Sequence, residues 1–260
     1  MPEQDITGKS HWDNVYTDAP SDFGREWQPT GYADLCLEHM LMTHIEKTRP
    51  RTILEVGCGN STWLPYLAKR TSARVAGIDY SEQGCELARN NLAASGVDGD
   101  IICGDIFQLN SQETGTFDFV YSLGLVEHFD SLETVIARLG QFVTPGGVLL
   151  SEVPNLLSIH GLMVYAYQPE LLAKHKIVTV RQLVETYEKL QFHAIDSGAV
   201  GIFSMGIVAW GIEQRFPKLD PLILPLVRFG TKVTDRILRR GGCYRGVPLF
   251  APFLYAVGKK

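Results

Sequence analysis

The chain has 260 residues, 45% of them hydrophobic, with 24 Lys/Arg against 29 Asp/Glu and a formal net charge of -5. That length suits one α/β domain with insertions and is cramped for two separate cores. The acidic balance gives no general attraction to nucleic acid, and five cysteines without a CxxC pair or a His/Cys cluster point to reduced thiols and no metal site. The N-terminus shows no leader pattern, and the longest uncharged run, 197–212, is too short for a membrane span. The expectation is a soluble, cytoplasmic protein. Charge is spread unevenly: residues 214–260 carry +8 and the rest of the chain -13.

Residues 1–32 are polar and aromatic, with too few aliphatic residues for a core of their own. They read as an arm packed by Trp12 and Trp27, or as a lid over a ligand, with Trp27 a candidate to touch substrate. Apolar residues at helical spacing predict a helix over 32–48, and the domain proper is expected over 49–260. Thr52–Val56 is a buried strand running into Gly57-Cys58-Gly59-Asn60, where glycines let the backbone turn sharply and approach a ligand. Ser61 and Thr62 can cap the helix that follows. A second strand, 74–78, ends on Asp79-Tyr80, and a carboxylate there can accept from both hydroxyls of a ribose. The pair predicts a nucleoside pocket at the carboxyl edge of a parallel sheet. A dinucleotide is disfavoured, because Thr62 stands where a third glycine would be and Glu55 would repel a pyrophosphate.

Glu55-Val-Gly57-Cys58-Gly59 with Asp79 resembles motif I and its sequel in class I S-adenosylmethionine-dependent methyltransferases. The resemblance continues through Cys103-Gly-Asp105-Ile106, Phe117–Ser122, Leu125-Val-Glu127-His128-Phe129 and Val143–Leu150, five elements in the family's order. It implies a seven-stranded, mostly parallel, doubly wound α/β sheet with an antiparallel last strand and helical insertions. It also implies the cofactor S-adenosylmethionine, with S-adenosylhomocysteine as product. Glu55, Gly57, Cys58, Gly59 and Asn60 would hold the methionine end, Asp79 and Tyr80 the ribose, and Asp105 and Ile106 the adenine. Asp105 could equally cap the turn that follows it. Ser122 and Leu123 would form the floor near the methyl group.

Where methyltransferases acting on nucleobase or glutamine amides usually place an Asn/Asp-Pro-Pro-Tyr/Phe loop, this chain has Ser122-Leu-Gly-Leu, which counts against such acceptors. Glu127 and His128 follow at the lip of the sheet, with His128 either a general base or a shaper of the pocket. Insertions at about 154–178 and 201–248 are expected to build the acceptor pocket, with His160, Tyr165, Tyr167 and His175 as candidate linings. Within the second, Val233, Ile237 and Leu238 read as one apolar face ringed by Lys232, Arg236, Arg239 and Arg240. This stretch, 219–245, reads as a cap, a dimer contact or a helix resting on an anionic membrane. The expected reaction is in-line methyl transfer to N, O or S of a small molecule, by a monomer or homodimer. A lipid or quinone-like acceptor and a catalytically silent scaffold are the alternatives.

Overall fold

The structure, a computed structural model, describes residues 5–17, 27–167, 169–202, 220–242 and 244–260. Apolar runs bounded by glycine or polar turns become seven strands: β1 (Thr52–Val56), β2 (Arg74–Asp79), β3 (Gly99–Cys103), β4 (Phe117–Leu123), β5 (Val143–Pro154), β6 (His193–Val200) and β7 (Phe253–Lys259). They form one sheet in the order 3-2-1-4-5-7-6. β1 to β5 pair in parallel, and β7 lies antiparallel between β5 and β6. The expected fold class is therefore present. β5 starts earlier than the sequence predicts, because Val143 already pairs with Phe117; the register then shifts, leaving Thr144–Gly147 as an irregular stretch inside the strand.

The helices are α1 (Lys9–Thr17), α2 (Tyr32–Thr48), α3 (Trp63–Thr71), α4 (Glu82–Ala94), α5 (Ser111–Thr114), α6 (Leu132–Gly140), α7 (Ile159–Tyr167), α8 (Pro169–Leu172), α9 (Val180–Lys189) and α10 (Asp220–Arg240). Their starts follow capping chemistry. Ser81, Ser131 and Thr179 each accept a backbone N–H of the first turn, and Thr179 forms a reciprocal box with Gln182. Ser61, rather than Thr62, serves α3, with its Oγ 3.1 Å from Trp63 N and 3.2 Å from Leu64 N. None of the described helices is long and apolar enough to cross a membrane.

Alternation along each strand divides the core between the two faces of the sheet. Ile53 packs with Leu41, Ile45, Leu64 and Leu67, whereas Leu54 and Val56 pack with Ile136, Leu139 and Leu183. α2 thus shares its core with the sheet. α10 is fastened to the start of α2: Asp235 accepts from Tyr32 N at 3.2 Å, and Arg239 donates to the Thr30 carbonyl at 3.1 Å. Leu238 turns inward against the core, so the expected face of Val233, Ile237 and Leu238 is divided. Neighbouring helical positions differ by about 100°, and Val233 and Ile237 stay outside. Within the expected insertion at 201–248, residues 203–219 and 243 lie outside the described residues.

The strand order places the site. From β1 the chain moves outward to β2 and β3, and from β4 to β5 on the other side. The turns after β1 and β4 consequently leave in opposite directions, and a crevice opens between them at the carboxyl edge.

Candidate active site

The turn after β1 is locked from below. Gly57 N and Cys58 N both donate to the Ile78 carbonyl, at 2.8 and 3.1 Å. Gly57 adopts φ +75°, and a Cβ there would press on Leu125. Gly59, at φ +41°, lies directly under the phenol of Tyr16, which occupies the space a side chain would need. Glu55 does not reach the cavity wall. Its Oε2 accepts from the Ser61 hydroxyl and, at 2.8 Å, from the Tyr121 hydroxyl. Burial raises its pKa to about 7, while those two hydrogen bonds pull the other way.

Asp79 is 6% exposed and faces a cavity of about 360 Å³. Its Oδ2 accepts from Gly59 N and its Oδ1 from Ser81 N, both at 2.8 Å. The carboxylate thereby ties the glycine turn to the N-terminus of α4. Desolvation pushes its pKa up, and those backbone donors oppose the shift. Asp105 lines the same cavity with Ile106 and also caps the turn that follows it: Oδ1 accepts from Phe107 N at 2.9 Å and Oδ2 from the Gln108 amide at 3.0 Å.

The N-terminal arm closes the cavity. Ile6 N donates to the His128 carbonyl at 2.8 Å, Tyr80 bonds Asp5, and the Ser81 hydroxyl bonds Asp13 at 2.6 Å. α1 then lays Trp12 and Tyr16, one helical turn apart, along the wall. The Trp12 ring meets His128 edge-on at 5.3 Å. Trp27 is elsewhere, packed against Trp63 and Tyr66, which removes it from the expected substrate contacts. The aromatics of the arm that line the cavity are Trp12 and Tyr16.

Beneath the turn after β4 lies a buried polar cluster. Glu127 and Glu152 are buried, and Glu127 Oε2, Glu152 Oε1 and Ser122 Oγ have no hydrogen-bond partner among the described residues. Burial raises Glu127 to about 8 and pushes Glu152 well above its ordinary value, the latter also through the neighbouring Glu127 charge. Burial and the nearby His175 lower His128 to about 4, so its imidazole is neutral at neutral pH. Its Nδ1 is 2.7 Å from the Lys174 carbonyl, which can only accept; Nδ1 therefore carries the proton and Nε2 the lone pair. Nε2 is 3.7 Å from Glu127 Oε1. His175 follows Lys174 and sits against His128 with ring centroids 4.4 Å apart. Glu127, His128 and His175 each offer one donor atom, all within 4.8 Å of one another, a grouping able to hold a cation that the sequence did not reveal.

The structure thus gathers Gly57, Asp79, Tyr80, Asp105, Ile106, Leu123 and His128 on one wall. Cys58 and Ser122 are buried behind it, and Asn60 is exposed beside it with its carbonyl 2.9 Å from the Asn91 amide. Glu127 and His175 join His128 one layer down, while His160 is buried at the start of α7. Tyr165 is 62% exposed, which contradicts a pocket-lining role, and the Tyr167 side chain lies outside the described residues. Trp12, Tyr16, Asp5 and Glu152 were not among the candidates. Two aromatics four apart, and an acid inside the apolar run Val148–Val153, were the available signals.

Residues 53–147 match the family model of a methyltransferase domain. A ubiquinone biosynthesis O-methyltransferase of Idiomarina loihiensis is 30% identical over 112 residues, 43% of this chain and 46% of that relative. The chain spans less than half the length of the curated relatives it matches, such as this one and that of Neisseria meningitidis (48%). Coclaurine N-methyltransferase has a similar structure at TM-score 0.59 and 13% identity, covering 98% of this chain and 87% of the other. The cyclase SpnF is similar at TM-score 0.60 and 15% identity, covering 98% and 93%. At those identities the two structures establish the fold alone. The strand order and the glycine turn agree with the matched segment, and residues 53–147 are thus similar to a methyltransferase domain.

Proposed function

We propose that the protein transfers a methyl group from S-adenosylmethionine to a hydroxyl of a small, largely apolar aromatic acceptor. The observation that carries this reading is one cavity shared by the glycine turn, Asp79, Asp105 and His128 under an aromatic lid. The bound sulfonium supplies an activated methyl group, so the protein's task is alignment and exclusion of water, which can lower a barrier by roughly 7–11 kcal/mol. Asp79 with Tyr80 takes the ribose, and Asp105 with Ile106 the adenine. Gly57, Cys58, Gly59 and Asn60 form the turn at the methionine end, held in shape by Glu55 through Ser61. Trp12 and Tyr16 present aromatic faces to a cation, a contact of about 0.5–2 kcal/mol. Leu123 forms the floor.

Ubiquinone biosynthesis O-methyltransferases among the relatives favour a quinone-like hydroxyl over an amine or thiol. His128 suits that acceptor: neutral, with Nε2 unprotonated, it can accept the hydroxyl hydrogen while Lys174 fixes the ring. Glu127, once ionised, would stabilise the imidazolium. The test is transfer of labelled methyl from S-adenosylmethionine to a prenylated catechol, an alkylamine and an alkylthiol, with His128→Ala alongside. Turnover of the catechol alone, falling about 10²–10⁴-fold in the variant, is expected. Turnover unchanged in His128→Ala would end the general-base role, and methylation of only the amine or thiol would end the hydroxyl assignment. The cyclase SpnF shows that this fold serves more than one chemistry, so a catalytically silent, cofactor-binding scaffold is the second reading. Cofactor binding without turnover of any acceptor would favour it.

A further inference from the structure

We propose that α10 and the adjoining loops at the carboxyl edge of the sheet dock the protein on an anionic lipid surface. The inference concerns where the protein works and stands apart from the identity of the acceptor. α10 is anchored through the face bearing Asp235 and Leu238. Its other side displays Phe229, Val233 and Ile237, four residues apart, at 68%, 41% and 63% exposure. Lys232, Arg236 and Arg240 run beside them with the same spacing, all exposed. A helix facing only water has no use for the apolar row, and a protein–protein core would exclude most of the cations. An interfacial helix needs both: apolar side chains sink to the acyl boundary while Lys and Arg meet anionic headgroups.

The surroundings agree. Among the described residues twelve large hydrophobic side chains are exposed, and nine lie in α10, in the segment before β7, or in and just before α7. Leu249 and Phe250 are joined to the start of α7 by Ile159 N, which donates to the Leu249 carbonyl at 3.0 Å. Leu157 and Leu162 project there at 60% and 67% exposure. Pro154 pairs with Phe253 at this edge, so the apolar patch lies at the edge of the sheet that carries the active-site cavity. Charge selects the occupant. With +3 on α10 (Asp220–Arg240) and -8 on the rest of the chain, a negative surface attracts this face and repels the others. Two copies meeting through α10 would instead oppose like charges.

The test is flotation of the purified full chain with vesicles of pure phosphatidylcholine and of phosphatidylcholine containing phosphatidylglycerol. Two double variants accompany it, Phe229→Ser with Ile237→Ser and Lys232→Glu with Arg236→Glu. All four side chains are exposed, so circular dichroism and thermal unfolding should match the wild type. Binding to the anionic vesicles, weakened by salt and reduced about tenfold or more in each variant, is the expected result. Wild-type protein that floats with neither vesicle, or variants that float as the wild type does, would overturn the proposal. So would a dimer that the serine variant converts to monomer without any vesicle binding.

Discussion

Asp79 holds the glycine turn through Gly59, holds α4 through Ser81, and still faces the cavity with lone pairs to spare. Hydrogen bonds to a charged group contribute roughly 1.5–3 kcal/mol. Asp79→Asn should therefore weaken S-adenosylhomocysteine binding by at least about tenfold, and Asp79→Ala by more, as measured calorimetrically. Full affinity in the alanine variant would move the pocket elsewhere. Glu127 governs a second prediction. Its folded pKa of about 8 lies above the ordinary 4.5, so the folded protein keeps a proton that the unfolded chain has lost. That stabilisation is complete below 4.5 and is lost as pH rises through about 8. Thermal stability should fall across this window, and Glu127→Gln, which cannot ionise, should show a shallower fall and exceed the wild type at the alkaline end by about 1–3 kcal/mol. Identical pH profiles would remove Glu127 as the cause. Among single residues, the glycines and Asp79 were legible because short-range backbone geometry demands them. Glu152 was not, since its importance depends on lying beside Leu123 across the β4–β5 ladder.

At the scale of elements, strand positions followed from local pattern, as did the cap at Ser61. What the pattern could not give was the direction in which an amphipathic helix faces. Leu238 and Ile237 are neighbours in sequence, yet one packs on the core and the other meets solvent. The arm raises the same difficulty. Trp12 and Trp27 look alike in the sequence, but only the helical turn from Trp12 to Tyr16 lies along the cavity, while Trp27 finds Trp63. If α1 closes the site, Trp12→Ala with Tyr16→Ala should weaken cofactor binding about tenfold and speed its dissociation, leaving thermal stability of the ligand-free protein nearly unchanged. Stopped-flow dissociation would show this. Dissociation at the wild-type rate would reduce the arm to packing.

For the whole molecule, one sheet does two jobs. Its order reverses between β1 and β4, opening the crevice, while β7 and β6 extend the edge that α2 and α10 cover. The fold was legible because its motifs are local and come in order. The acceptor was not, because the contacts around His128 are long-range, such as Lys174 reaching His128 and His175 lying on that ring. Stability should reside in the two-faced core: Leu54→Ala, at a fully buried β1 position, should cost about 2–5 kcal/mol by chemical denaturation. The most direct test of the central claim is calorimetric titration of the purified protein with S-adenosylmethionine, S-adenosylhomocysteine and NADH in parallel. Heat from the two adenosyl ligands, abolished or strongly weakened in Asp79→Ala, and none from NADH is the predicted result. Binding of NADH alone would contradict the methyltransferase account.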